Sequence, residues 1–143
     1  MPKSSKPPNP KKLPSEHWKE EPDDHDYPAA RDYLSLLLPS GDAGALVEQL
    51  RKSPVVRRQA KDLLRASRLP LLPEDNVEVR QDLDKVQKGE QLSPVLLVCG
   101  SLTDDVALTV ADGYHRICAS YMIDEDADIP CRIVPPTDRT RVG

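Results

Sequence analysis

Asp112-Gly113-Tyr114-His115-Arg116 is the run of this chain whose residue types and order could do chemistry. A glycine followed by an imidazole and a guanidinium, where a strand gives way to a helix, suits the gripping of phosphate oxygens. The free N–H groups and positive dipole end of a helix N-terminus favour an anion. The planar fork of Arg116 matches phosphate oxygens. Gly113 permits a tight turn and leaves room for a ligand to approach the main chain. In helical register Tyr114, Ile117, Cys118 and Tyr121 fall at i, i+3, i+4 and i+7 and form a buried stripe. Arg116 then points away from the stripe and His115 sits at its border, both near the helix start. Asp112 is placed to cap that helix by accepting the backbone N–H groups of Tyr114 and His115.

The elements that must position this turn follow from hydrophobic period and breakers. Pro94 to Cys99 reads as a buried strand, Gly100 to Asp105 as a polar turn, and Val106 to Ala111 as a second strand. The helix after Gly113 should run to about Ile123, and Ile129 to Val134 makes the last strand. Upstream, a short helix from Glu78 to Lys88 turns Val79, Leu83 and Val86 inward, with Gly89 as its stop. Leu69 to Pro73 is an extended connector. Before it, three helices are expected: Pro28 to Leu38, a second from Asp42, and a third opened by the hydroxyl and proline of Ser53-Pro54. The third carries Val55, Val56, Ala60, Leu63, Leu64 and Ser67, interleaved with Arg57, Arg58, Lys61, Arg65 and Arg68. Those cations are either a solvated face or contacts to nucleic acid or phosphates. Residues 1–26 run from Pro/Lys-rich to acidic and read as a disordered arm, with Trp18 its only large apolar group. The expected division is an arm over 1–26, a helical segment over 27–68, a core over 69–135 and a loose tail over 136–143.

The chain's 143 residues suffice for one compact domain plus a tail. With no Phe, Leu, Val and Ile must fill the core. No apolar run approaches the roughly 20 residues of a membrane span, and the N-terminus lacks the order of a secretory signal. The expectation is a cytoplasmic protein with no membrane partner. The net charge of −4 argues against a dedicated duplex-DNA binder. Cys99, Cys118 and Cys131 are odd in number, form no CxxC pair and read as buried free thiols. With His115 they offer no metal-ligand spacing, and no metal-binding residues are assigned.

Val86 to Val134 resembles the ParB/sulfiredoxin core, through Ser93-Pro-Val-Leu-Leu-Val98, Ala111-Asp-Gly-Tyr-His-Arg-Ile-Cys-Ala119 and Ile129-Pro-Cys-Arg-Ile-Val134. The pattern is also similar to small bacterial proteins carrying this core behind a helical N-terminal segment. The resemblance implies an α+β fold, a small sheet with a strand–turn–helix phosphate site and N-terminal helices packed on it. Members include chromosome-partition proteins that bind CTP, sulfiredoxins that use ATP, and an ADP-dependent serine kinase. It therefore implies ATP, ADP or CTP with Mg²⁺ as the ligand, held by Gly113, Tyr114, His115 and Arg116. Lys85, in Asp84-Lys85-Val86-Gln87, is implied as a second phosphate contact, although the interval to the following strand is shorter than in sulfiredoxins.

One departure matters. The position of the sulfiredoxin catalytic cysteine is held by Tyr114, and Cys118 lies a turn later on the buried stripe. Sulfinic-acid reduction is not expected. The Asp-Gly-x-His-Arg form resembles the kinase branch, where Asp112 would orient or deprotonate a hydroxyl acceptor. His115 is a second catalytic candidate, or a phosphate ligand. The expectation is a nucleotide- or phosphate-binding protein that extends to an ATP- or ADP-dependent phosphotransferase. The alternatives are a nucleic-acid-associated regulator, partition-like or nuclease-like but without a helix-turn-helix array after the core, and a non-catalytic interaction module.

Overall fold

Val95–Val98 is four apolar residues in a row, with no polar face to offer water, so both sides of that strand must be covered. The computed structural model, which describes residues 17–136, covers them with helices. Among the described residues the order is α1 (Asp26–Leu34), α2 (Ser40–Lys52), β1 (Val56–Gln59), α3 (Ala60–Ser67), α4 (Val77–Gln87), β2 (Val95–Val98), β3 (Thr109–Asp112), α5 (Tyr114–Ile123) and β4 (Asp128–Val134). The four strands form one mixed sheet in the order β1-β4-β2-β3. β2 runs parallel to β4 and antiparallel to β3, and β1 pairs antiparallel with the far edge of β4.

Alternation along β2 divides the core. Val95 and Leu97 pack with Ile117, Cys118, Ile129, Cys131, Leu63 and Val79 under α3, α4 and α5. Leu96 and Val98 pack on the other face with Tyr27, Leu34, Leu46, Leu50 and Val134 under α1 and α2. Each fully buried Val or Leu contributes about 1.5–3 kcal/mol, so the sheet is held from both sides. Among the described residues no helix is long and apolar enough to cross a membrane.

The expected third helix is corrected. Ser53 ends α2, with its hydroxyl donating to the carbonyl of Leu50, and Pro54 leads into a strand. The helix begins only at Ala60. The open edge of β4 accepts β-branched Val56 and its neighbours as a strand, and tertiary pairing overrides the Ser-Pro start signal. Residues 27–68 are therefore not purely helical; they complete the sheet. Arg57 and Arg58 are exposed on this edge strand, where charge discourages further strand pairing. The other cations of this stretch are matched by acids: Lys61 with Asp126 at 2.7 Å, Arg65 with Asp62 at 3.5 Å and Arg68 with Asp105 at 2.7 Å.

The arm expected over 1–26 is corrected for its described part. Trp18 is buried at 3% exposure in the core under α3–α5. Its neighbours pair with Leu92: the N–H of Lys19 donates to the Leu92 carbonyl and the N–H of Leu92 to that of His17, each at 2.8 Å. An indole is enough apolar surface to fix a short acidic segment. Residues 1–16, and 137–143 of the expected tail, lie outside the described residues. The strand expected from Val106 starts at Thr109, because Ser101 and Val106 close a small turn with reciprocal backbone bonds.

Candidate functional site

The β3–α5 turn forms where expected, with Gly113 at φ +111°, a conformation side chains resist. The space on the side a Cβ would occupy is taken. A Cβ at Gly113 would lie 2.4 Å from Val95 Cγ1 and 2.9 Å from Arg116 Nη2. The glycine lets the helix start press onto β2, and those two side chains already fill the gap.

Asp112 does not cap α5: the N-cap is Gly113, which has no side chain, and among the described residues no side chain accepts from the first-turn N–H groups. Asp112 Oδ2 instead accepts from Arg116 Nη2 at 2.9 Å, and the same Nη2 donates to the Pro94 carbonyl at 3.3 Å. The guanidinium thus bends back over the turn, with Nε buried and unpartnered among the described residues. Burial pushes the Asp112 carboxyl above its ordinary range, Arg116 pulls it back, and Asp26 pushes it further up. Asp26 is almost fully buried at the start of α1. His115 is half-exposed, with Nε2 3.8 Å from Glu78 Oε1.

Tyr114 goes elsewhere. Its hydroxyl donates to the Pro70 carbonyl and so ties the 69–73 connector to α5. Burial raises its pKa, with a smaller contribution from Cys118. Burial likewise raises Cys118 and pushes Cys131 up to about 11, which leaves both as inert thiols.

A recess of about 190 Å³ joins the turn to α4, lined by Glu78, Gln81, Asp82, Asp112, Gly113, His115 and Arg116. Four of the six sequence-derived site residues meet there. Tyr114 and Lys85 do not line it; Lys85 is exposed on α4, one turn beyond Asp82. What the sequence reading missed is the acidic wall. α4 is started by Asn76, whose side chain accepts the N–H of Val79 at 3.1 Å. That register puts Glu78 and Asp82 one turn apart on the face toward α5. The signal was present as the i, i+4 spacing, but such a pair usually marks a solvated face. Asp82 is only 9% exposed, and burial raises its pKa against the opposing pull of Arg116, Lys85 and His115.

Two other features bear on the site. Asp23, His25 and Asp26 bring ligand-type atoms within 4.8 Å of one another at the start of α1, with Lys19 on Asp23 at 2.7 Å. A larger groove of about 700 Å³ between α3 and the connector is lined by Gln59, Lys61, Asp62, Arg65, Tyr121 and neighbours. Its cations are paired with acids and no buried titratable group faces it, so the smaller recess is the better candidate. No protein-family model, curated protein or solved structure matches the chain.

Proposed function

We propose that the chain is a nucleotide- or phosphate-binding protein of the ParB/sulfiredoxin type, and that the recess between α4 and α5 takes the phosphate end of the ligand. The observation that carries this reading is the convergence of His115, Arg116 and an α5 N-terminus without a side-chain cap on one recess. Helix N–H groups without a cap are anion donors. A guanidinium has five donors, and Asp112 and Pro94 share a single one of its nitrogens. Whole small-molecule ligands occupy about 300–1,000 Å³. A recess of about 190 Å³ therefore suits phosphate, with the nucleoside lying outside it.

Asp112 is tied to Arg116 and crowded by Asp26, which makes it a positioning group for the guanidinium rather than a free base. Binding, not phosphotransfer, is the activity proposed. The test is calorimetry with ATP, ADP, CTP and GTP in Mg²⁺ on the wild type, His115→Ala and Arg116→Lys. One nucleotide should bind, at least about tenfold more weakly in each variant, the loss expected for one charge-assisted bond of about 1.5–3 kcal/mol. Equal affinity in both variants would overturn the assignment.

A further inference from the structure

Among the described residues Asp82 is the least explained buried charge. It lines the recess, yet is 91% withdrawn from solvent. Among the described residues no hydrogen bond or ion pair reaches its carboxylate, and its interactions with Arg116, Lys85 and His115 are through space only. Its oxygens are not among the buried unpartnered atoms of the described residues, so they open onto the recess, available to a cation, rather than into the core. Glu78, one turn away on the same wall, has His115 Nε2 at 3.8 Å as its nearest cationic-type contact among the described residues. Arg116 cannot serve both walls, because its contact is with Asp112 at 2.9 Å.

We propose that Asp82, with Glu78 beside it, holds a divalent cation of the magnesium class in this recess and that the ion bridges to the ligand phosphate. The donors are all hard oxygens, with Gln81 supplying a neutral one on the same wall. Magnesium typically takes one or two carboxylates, keeps several waters and completes its shell with substrate phosphates. The alternative cluster, Asp23, His25 and Asp26, is less suited. Lys19 already neutralises Asp23, and the set lies at the positive end of α1.

This inference rests on the phosphate-binding reading but fails separately from it. The full chain is titrated with Mn²⁺ alone, followed by electron paramagnetic resonance, and then with Mg²⁺ as competitor and with ADP present. One Mn²⁺ should bind, yield to Mg²⁺ and bind more tightly with ADP. Asp82→Asn should weaken it at least about tenfold, since even outer-shell partners cost that much. Glu78→Gln, at an exposed side chain that places no demand on folding, should weaken it several-fold. Absence of Mn²⁺ binding with and without ADP overturns the proposal. So does binding unchanged in both variants, or lost only in His25→Ala, which would place the ion at α1. Nucleotide binding that persists undiminished in chelator would leave the phosphate reading intact and remove the cation. Loss of Mn²⁺ in Asp82→Asn with no nucleotide bound by the wild type would do the reverse.

Discussion

Arg116→Ala should destabilise the fold itself, and by an amount the surroundings of Arg116 allow to be estimated. The guanidinium and the Asp112 carboxylate meet at 2.9 Å with side chains 16% and 17% exposed. Removing one partner of a buried pair costs about 3–5 kcal/mol, because the other charge is stranded. Since the pair borders a recess, the lower end applies, about 3 kcal/mol out of the 5–15 typical of a domain. For a folded unit of this size that is a fall in Tm of roughly 10–15 °C. Adding Asp112→Asn should restore much of the loss, a coupling of about 2 kcal/mol, because no stranded carboxylate remains. The pH dependence has a definite sign. Asp112 is raised above its ordinary 3.8 by burial and by Asp26, so its ionised form is disfavoured in the folded state. That penalty is absent below the ordinary value, grows as pH rises toward the raised one and is constant above it. Loss of Arg116 enlarges it, so the Arg116→Ala deficit should be larger at neutral pH and shrink as the pH falls toward 4. Urea denaturation of the four-member cycle at several pH values measures all three quantities. A single-variant cost under about 1 kcal/mol, or additivity within about 0.5 kcal/mol, would refute the reasoning.

Gly113→Ala should cost about 3 kcal/mol. A side chain at φ +111° carries backbone strain of about 1–3 kcal/mol, and overpacking on Val95 adds a similar amount. An unshifted urea midpoint would mean that the turn relaxes in a way its packing does not allow. Trp18→Ala should cost about 3–5 kcal/mol, as for other buried large aromatics. A thermal midpoint within a degree or two of wild type would show that residues 17–26 are not part of the core.

Where one element's own residues decided the outcome, the sequence sufficed. Four apolar residues at 95–98 had to become a doubly covered strand, and the aspartate–glycine break at 112–113 had to end β3 and open α5. The failures came where a distant partner decided. Val56–Gln59 has an acceptable helical pattern, and only the unpaired edge of β4, about seventy residues on, turns it into a strand. Trp18 sits in an otherwise polar stretch, and only the pairing of its neighbours with Leu92 fixes it.

The same distinction governs the site. That Gly113, His115 and Arg116 share one turn was legible because the glycine break between strand and helix fixes their positions. Their electrostatics were not legible, since the charges that complete them come from Asp26 and from Glu78 and Asp82 on other helices. Read alone, the turn is an attractive anion site. Packed, it faces carboxylates on both sides, and the one nearest Arg116 takes its charge first. A bare phosphate entering this recess would meet Asp82 and Glu78, which Arg116, Lys85 and His115 offset only through space or at 3.8 Å. At an effective dielectric constant near 20, each unit charge about 4 Å away contributes roughly 4 kcal/mol of repulsion. That is more than the about 1.5–3 kcal/mol that one charge-assisted bond from Arg116 could return. A divalent cation bound with the phosphate would offset that repulsion, so on the proposed cation site nucleotide affinity should fall in chelator while His115 and Arg116 remain intact, and undiminished affinity would remove the cation and leave the phosphate reading standing.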